Sequence, residues 1–157
     1  MEEEMNLSDD RIERVVELPA SASRVWRALT DHQEFGEWFR VRLDGPFEVG
    51  EVSTGEIIYP GYEGLPWRAV VDEMEPERLF SFRWHDYDEN SELEVADQPT
   101  TRVQFLLERI EQGVRLTIRE SGFSAIPYPR RLEAIRNNRE GWRIQADNLR
   151  VFLTASD

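Results

Sequence analysis

The chain has 157 residues, close to one domain by the usual rule of about 150, and its 32 acidic and 19 basic residues leave a net charge of −13. Negative charge of this size repels phosphate backbones and anionic lipid surfaces, so neither nucleic acid nor membrane insertion is expected. Cysteine is absent and histidine is confined to His32 and His85, which removes disulfides, thiol nucleophiles and any ordinary thiolate or histidine metal site.

All nineteen basic residues are arginine. The first thirty residues contain no basic segment followed by an apolar run, and no apolar stretch reaches the roughly 18 residues that a membrane span needs. A soluble cytoplasmic domain is therefore expected.

Residues 1–10, MEEEMNLSDD, contain five acids and no base and are expected to form a disordered acidic tail, with one domain over 11–155. Ile12, Arg14, Val16 and Leu18 then alternate with Glu13, Val15 and Glu17, which predicts a strand that Pro19 stops. Ser21 is placed to cap a helix running to about Thr30, with Val25, Trp26 and Leu29 on one face. Asp31 is placed to cap a second short helix carrying Phe35, Trp38 and Phe39. From 41 to 121 the punctuation is that of an antiparallel sheet. Strands are predicted at about 41–44, 51–59, 67–75, 78–85, 101–110 and 113–121. Between them lie Gly45-Pro46, the Pro60/Gly61/Gly64/Pro66 loop, Pro76-Glu77 and Gln112-Gly113. Phe80, Phe82 and Trp84 share a face, as do Val103, Phe105 and Leu107, and Leu116 and Ile118. Their neighbours Ser81, Arg83, Gln104, Arg115, Thr117 and Arg119 are polar, so the opposite face is expected to be wet. After Pro127 and Pro129 the period changes to 3.6, predicting a helix from about 130 to 154 with Ile135, Trp142, Ala146, Leu149 and Phe152/Leu153 facing inward.

The segment VELPASASRVWRALTD (16–31), followed by FGEWF (35–39), resembles the opening of the SRPBCC superfamily, which includes START domains, polyketide cyclases and birch-pollen-allergen-like proteins. Within it, LTIRESGF (116–123) followed by GWRIQADNLRVFL (141–153) is similar to bacterial proteins related to the C-terminal domain of the activator of the heat-shock-protein-90 ATPase. The resemblance spans about 11–154 and implies an α+β helix-grip fold. In that fold a curved antiparallel sheet of six to seven strands wraps around a long C-terminal helix, with two short helices after the first strand. Two departures stand out. Glu120 occupies the position before Ser121-Gly122 where that family often has histidine. The eukaryotic activator also carries a separate chaperone-engaging domain for which 157 residues leave no room, so a chaperone partner is not expected.

The residues themselves argue for a pocket. Asn138 and Gln145 fall on the inward stripe of the last helix, and buried amides need a partner such as water or a ligand. Ala146 is small where a filled core favours bulk. Either a cavity lies there, or the core is packed and the amides reach out to solvent. A cavity would be lined from the helix by Asn138, Trp142, Gln145, Ala146 and Leu149, and from the sheet by Phe82, Trp84, Phe105, Leu107, Ile118 and Glu120. Trp38 and Phe123 would flank it. Such an aromatic lining with a few polar groups suits a small apolar or aromatic ligand.

Glu120 continues the inward phase of Leu116 and Ile118. It is either a ligand-orienting group and weak acid/base candidate, or a carboxylate at the sheet rim paired with arginine or water. His85-Asp86 cannot form part of a triad, because adjacent strand residues point to opposite faces and no serine is suitably placed; a capping or surface role is expected. The run 86–98 holds six acids and no base. Asp86, Asp88 and Asn90 mimic the start of a calcium loop, but Ser91 and Asp97 replace its glycine and glutamate, so a solvated loop at a pocket entrance is expected instead. No metal or cofactor is expected. The leading reading is binding of a small hydrophobic molecule without turnover. A polyketide-cyclase-like enzyme and a stress-related protein-interaction or co-chaperone module are the alternatives, and a homodimer is compatible with each.

Overall fold

A computed structural model of the chain describes residues 11–85, 88 and 90–155; the acidic segment 1–10 and Asp86, Tyr87 and Glu89 of the acidic run lie outside the described residues. Strand β1 (Arg11–Leu18) is followed by helices α1 (Ala22–Thr30) and α2 (His32–Phe39). The caps form where the sequence places them. The Ser21 hydroxyl accepts the Arg24 backbone N–H at 3.2 Å, and the Asp31 carboxylate accepts those of Gln33 and Glu34 at 2.9 and 3.1 Å. Helix α2 closes on Arg40 in the left-handed region (φ 71°). The chain folds back there so tightly that a Cβ on Gly36 would collide with the Val41 carbonyl.

Strands β2 (Val41–Leu43), β3 (Val52–Ile57), β4 (Pro66–Glu75), β5 (Leu79–His85), β6 (Thr100–Ile110) and β7 (Gly113–Ser121) complete one antiparallel sheet in the order β1-β7-β6-β5-β4-β3-β2. From β3 to β7 each strand pairs with its predecessor, as meander hairpins do. The first strand instead closes against the last, Ile12 opposite Glu120 and Leu18 opposite Val114. β1 and β2 therefore stand at opposite edges, and α1 and α2 carry the chain across the sheet between them. Between Val71 and Glu73 the β4–β5 register shifts by one residue, a bulge that bends the sheet. The extra residue, Asp72, takes Arg83 at 3.1 Å and Arg102 at 3.5 Å.

Helix α3 (Arg130–Ala155) has 26 residues, about 39 Å at 1.5 Å each. It lies in the concave side of the sheet and packs on β1, α1 and α2. Its buried residues include Ile135, Trp142, Ala146, Leu149 and Leu153. This is the helix-grip architecture the sequence implied. The main core is aromatic around Phe35, which stacks on Phe39 at 4.9 Å and meets Trp38, Phe47, Trp67 and Phe82 edge-on. Ile12, Phe123, Ile126, Ala134 and Ile135 form a smaller cluster under the start of α3. One expectation about the outer face needs correcting. Ser81 is buried rather than wet, because Glu73 beside the bulge folds over it and accepts its hydroxyl at 3.1 Å.

Candidate functional site

Between the β3–β4 hairpin, the end of β5 and the middle of α3 the layers do not close, leaving a cleft of about 560 Å³. One wall is aromatic. Trp84 from β5 and Trp142 from α3 stack at 5.6 Å with an interplanar angle of 22°. Phe39 meets both edge-on at 5.9 and 6.1 Å, and Trp67 meets Trp84 at 5.6 Å. Ile57, Tyr59, Tyr62 and Leu65 from the hairpin border the mouth, and Asn138, Gly141, Ile144 and Gln145 line the helix side.

Glu120 lies directly behind the indole pair. Val114, Leu116 and Ile118 point inward along β7, and the period of two puts the next side chain in the core. Its carboxylate is fully buried and surrounded by four donor residues from three elements. Trp84 Nε1 donates at 2.9 Å, Thr101 Oγ1 at 2.5 Å and Trp142 Nε1 at 2.8 Å, while Asn138 Nδ2 spans both oxygens at 3.2 and 3.0 Å. Asn138 and Trp142 can converge because residues four apart share a helix face. Burial pushes the Glu120 carboxyl above the usual carboxylate range. The hydrogen bonds from Thr101, Trp84, Trp142 and Asn138 pull it down without offsetting the loss of water.

His85, next to Trp84 on β5, turns to the opposite face of the sheet, beside Arg83. Its Nδ1 lies 2.9 Å from the Gln98 carbonyl and its Nε2 2.9 Å from Arg68 NH1. Burial lowers its pKa, assisted by the charges of Arg68 and Arg83 and opposed by the Gln98 hydrogen bond and Asp97. The role expected for His85, capping or surface, is thus corrected to a half-buried bridge between β4 and the segment before β6.

The thirteen residues proposed from sequence divide into two sets. Trp84, Asn138, Trp142 and Gln145 line the cleft, and Glu120 supports the first three from behind. Phe82, Phe105, Leu107, Ile118, Trp38, Ala146 and Leu149 lie in the close-packed main core, and Phe123 in the smaller cluster. The inward amides are also partnered within the protein: Gln145 Nε2 donates to the Phe39 carbonyl at 2.9 Å, and Asn138 binds Glu120. Among the described residues no buried side-chain nitrogen or oxygen lacks a partner, so the inference from stranded amides to a cavity does not hold, although a cleft is present. Glu120 is neither at the rim nor paired with arginine.

Sequence reasoning missed Tyr59, Tyr62, Arg68 and Gly141. Gly141 carried a signal, because a glycine in mid-helix costs about 1 kcal/mol against alanine and a Cβ there would meet nothing within 4 Å. The acidic loop does not border the cleft at any described residue. It is tied down instead by Gln98, whose side chain accepts the Asp88 N–H at 2.7 Å and donates to the Leu93 carbonyl at 3.1 Å. Among the described residues, no three His, Asp or Glu side chains are grouped to hold a metal ion, and no helix is long and apolar enough to cross a membrane.

Residues 19–154 match the sequence profile of the family described as Activator of Hsp90 ATPase homolog 1-like protein. No curated protein matches the chain in sequence. Solved structures share its fold. Protein MLL2253 from Mesorhizobium loti superposes with a TM-score of 0.75 at 22% identity, covering 94% of this chain and 98% of that one. An Arthrobacter aurescens protein reaches 0.78 at 19% identity, covering 95% and 88%. DynU16, a protein in the dynemicin biosynthetic locus, gives 0.72 at 21% identity; the alignment takes in 95% of this chain and 49% of DynU16, so the chain spans about half of that protein.

Proposed function

The chain belongs to the Activator of Hsp90 ATPase homolog 1-like family, and from that premise we propose that it binds a small, largely apolar molecule in the cleft between the β3–β4 hairpin and α3. The stacked Trp84–Trp142 wall carries the reading. Two stacked indoles, both held by one buried carboxyl group behind them, form a rigid apolar surface, preorganised before any ligand arrives. A cleft of about 560 Å³ falls in the range that accepts a drug-sized molecule. Binding without turnover is favoured over a cyclase-like reaction by the position of Glu120. Its oxygens already accept from Trp84, Thr101, Asn138 and Trp142, and it does not line the cleft.

Gly141 provides the test, because a side chain there enters the cleft without disturbing the core. The wild type should take up an apolar fluorescent probe, and Gly141→Phe should lose that uptake while keeping its melting temperature. Native mass spectrometry of gently purified protein should show mass beyond the polypeptide. A wild type that takes up no apolar probe and carries no extra mass would end this reading and favour a protein-interaction role for the outer surface.

A further inference from the structure

The outer face of the sheet, opposite α3, carries a row of like charges. Across neighbouring strands Arg11 stands in register with Ser121, Ser121 with Arg102, Arg102 with Arg83 and Arg83 with Val70. Alternation turns these side chains outward, because Ile12, Glu120, Val103, Phe82 and Val71 beside them are buried in the core. Arg68 shares the face two residues before Val70, where the His85 imidazole holds its guanidinium at 2.9 Å. Like charges directly opposite on neighbouring strands destabilise a sheet, and Arg83 and Arg102 form such a pair. Asp72 relieves them in part, at 3.1 and 3.5 Å. In the next row Glu13 is shared by Arg119 at 2.6 Å and Arg11 at 3.8 Å, and Glu73 is turned onto Ser81. Five arginines thus face three carboxylates, in a chain where acidic residues outnumber arginines by 32 to 19. Asp97 adds a fourth negative charge at the edge nearest His85, and the surplus stays positive. Arg68 has no carboxylate partner among the described residues.

We propose that this arginine row is the docking surface for the chain's own acidic segment, residues 1–10, which binds it through Glu2, Glu3, Glu4, Asp9 and Asp10. The segment joins the row directly, because Asp10 is bonded to Arg11 at the β1 end. Its five acids and no base complement the positive surplus. From β1 to β4 the row crosses four inter-strand spacings, about 19 Å in all. The stretch from Glu4 to Arg11 spans up to about 23 Å when extended, so Glu2, Glu3 and Glu4 come within reach of Arg83 and Arg68. Attachment decides between occupants. A free acidic peptide or phosphate is repelled by the net charge of −13. A covalently joined segment acts instead at an effective concentration on the order of millimolar, and its carboxylates match the guanidinium fork.

The chain has no cysteine, so Leu7→Cys places a single nitroxide label in the segment of the full-length protein. Paramagnetic broadening of the arginine Nε–H and tryptophan indole N–H signals then reads which face the label visits. In about 10 mM salt the Arg68, Arg83 and Arg102 signals should be lost, while that of Trp142 on the inner side is kept. The lost signals should return in about 500 mM sodium chloride, which shortens the screening length from about 30 Å to about 4 Å. They should also return when Glu2→Gln, Glu3→Gln and Glu4→Gln are combined, a change that leaves the folded residues untouched. Arg83→Gln with Arg102→Gln should release Arg68 as well, the same spectra establishing that the variant is folded. Broadening that fades with distance from β1 equally on both faces, and ignores salt and the charges of the segment, would overturn the proposal. Broadening that arises only between molecules, in a mixture of nitroxide-labelled and isotope-enriched chains, would overturn it in favour of a second copy. No broadening, with these arginine signals shifting instead on addition of an oligoglutamate peptide, would overturn it in favour of an acidic partner.

Discussion

A single buried glutamate organises the wall that the proposed ligand would touch. Glu120 is encircled by donors from β5, β6 and α3, and none of them is cationic. Replacing it with leucine would leave the Trp142 indole N–H, the Asn138 amide and the Thr101 hydroxyl without an acceptor in a dry site, while Trp84 keeps Thr101 Oγ1 at 3.0 Å, so Glu120→Leu should cost more than about 3 kcal/mol. Glu120→Gln keeps the shape and one carbonyl acceptor and should cost distinctly less; denaturant melts of both variants check the order. The direction of the pKa shift adds a pH signature. Because the folded state raises the carboxyl above 4.5, it binds the proton more tightly than the unfolded chain. This contribution to stability is fully present below pH 4.5 and is lost as pH rises through the folded value. The stability of the wild type relative to Glu120→Gln should therefore decline as pH rises from about 4.5. A flat difference would mean that the shift is absent. His85 acts in the opposite sense and is common to both proteins, so it cancels from the comparison: its lowered pKa contributes stability above pH 6.5 that is lost as pH falls.

Helix α3 presents two small residues whose roles differ with the face they occupy. Ala146 is 4% exposed within the main core, between Trp142 and Leu149 on the inward stripe. Its small size reflects close approach to its neighbours, so Ala146→Trp should overpack the core and cost about 1–3 kcal/mol or more. Gly141 faces open space on the cleft side of the same helix. Gly141→Ala should raise stability by about 0.5–1 kcal/mol, because helix propensity improves and nothing is crowded. A thermal melt that showed the reverse order would mean that the two faces of α3 are wrongly assigned. A glycine there suits a helix whose middle turn borders a cleft.

At the scale of the whole molecule, charge sets the response to salt. The outer face of the sheet carries Arg–carboxylate pairs on neighbouring strands, such as Arg119–Glu13 and Arg42–Glu56, which are exposed and contribute little. Against these attractions stands the repulsion of a net charge of −13, felt over about 30 Å in 10 mM salt and over far less in 500 mM. The excess is larger than the pairs can offset, so the melting temperature should rise between these two concentrations of sodium chloride. A fall would mean that the arginine–carboxylate pairs dominate.

What the sequence by itself determined was local. Period two along β7 and period 3.6 along α3, the caps at Ser21 and Asp31, and the turns at Gly45, Pro76 and Gln112-Gly113 depend on neighbours within a few residues, and these alone specify seven strands, three helices and the inward placement of Glu120. The resemblance carried by 16–39 and 116–153 supplied the order in which they assemble. Tertiary structure decided the rest. Trp84, Thr101, Asn138 and Trp142 are scattered along the chain, and no spacing rule announces that all four meet one carboxylate. Arg68 and His85 sit 17 residues apart on neighbouring strands, so their contact depends on the β4–β5 register and on where Gln98 returns. The cleft itself is the place where the hairpin, the end of β5 and α3 fail to close. A void is defined by the relative positions of elements distant in sequence, so it leaves at most an indirect trace, such as Gly141, in any one of them.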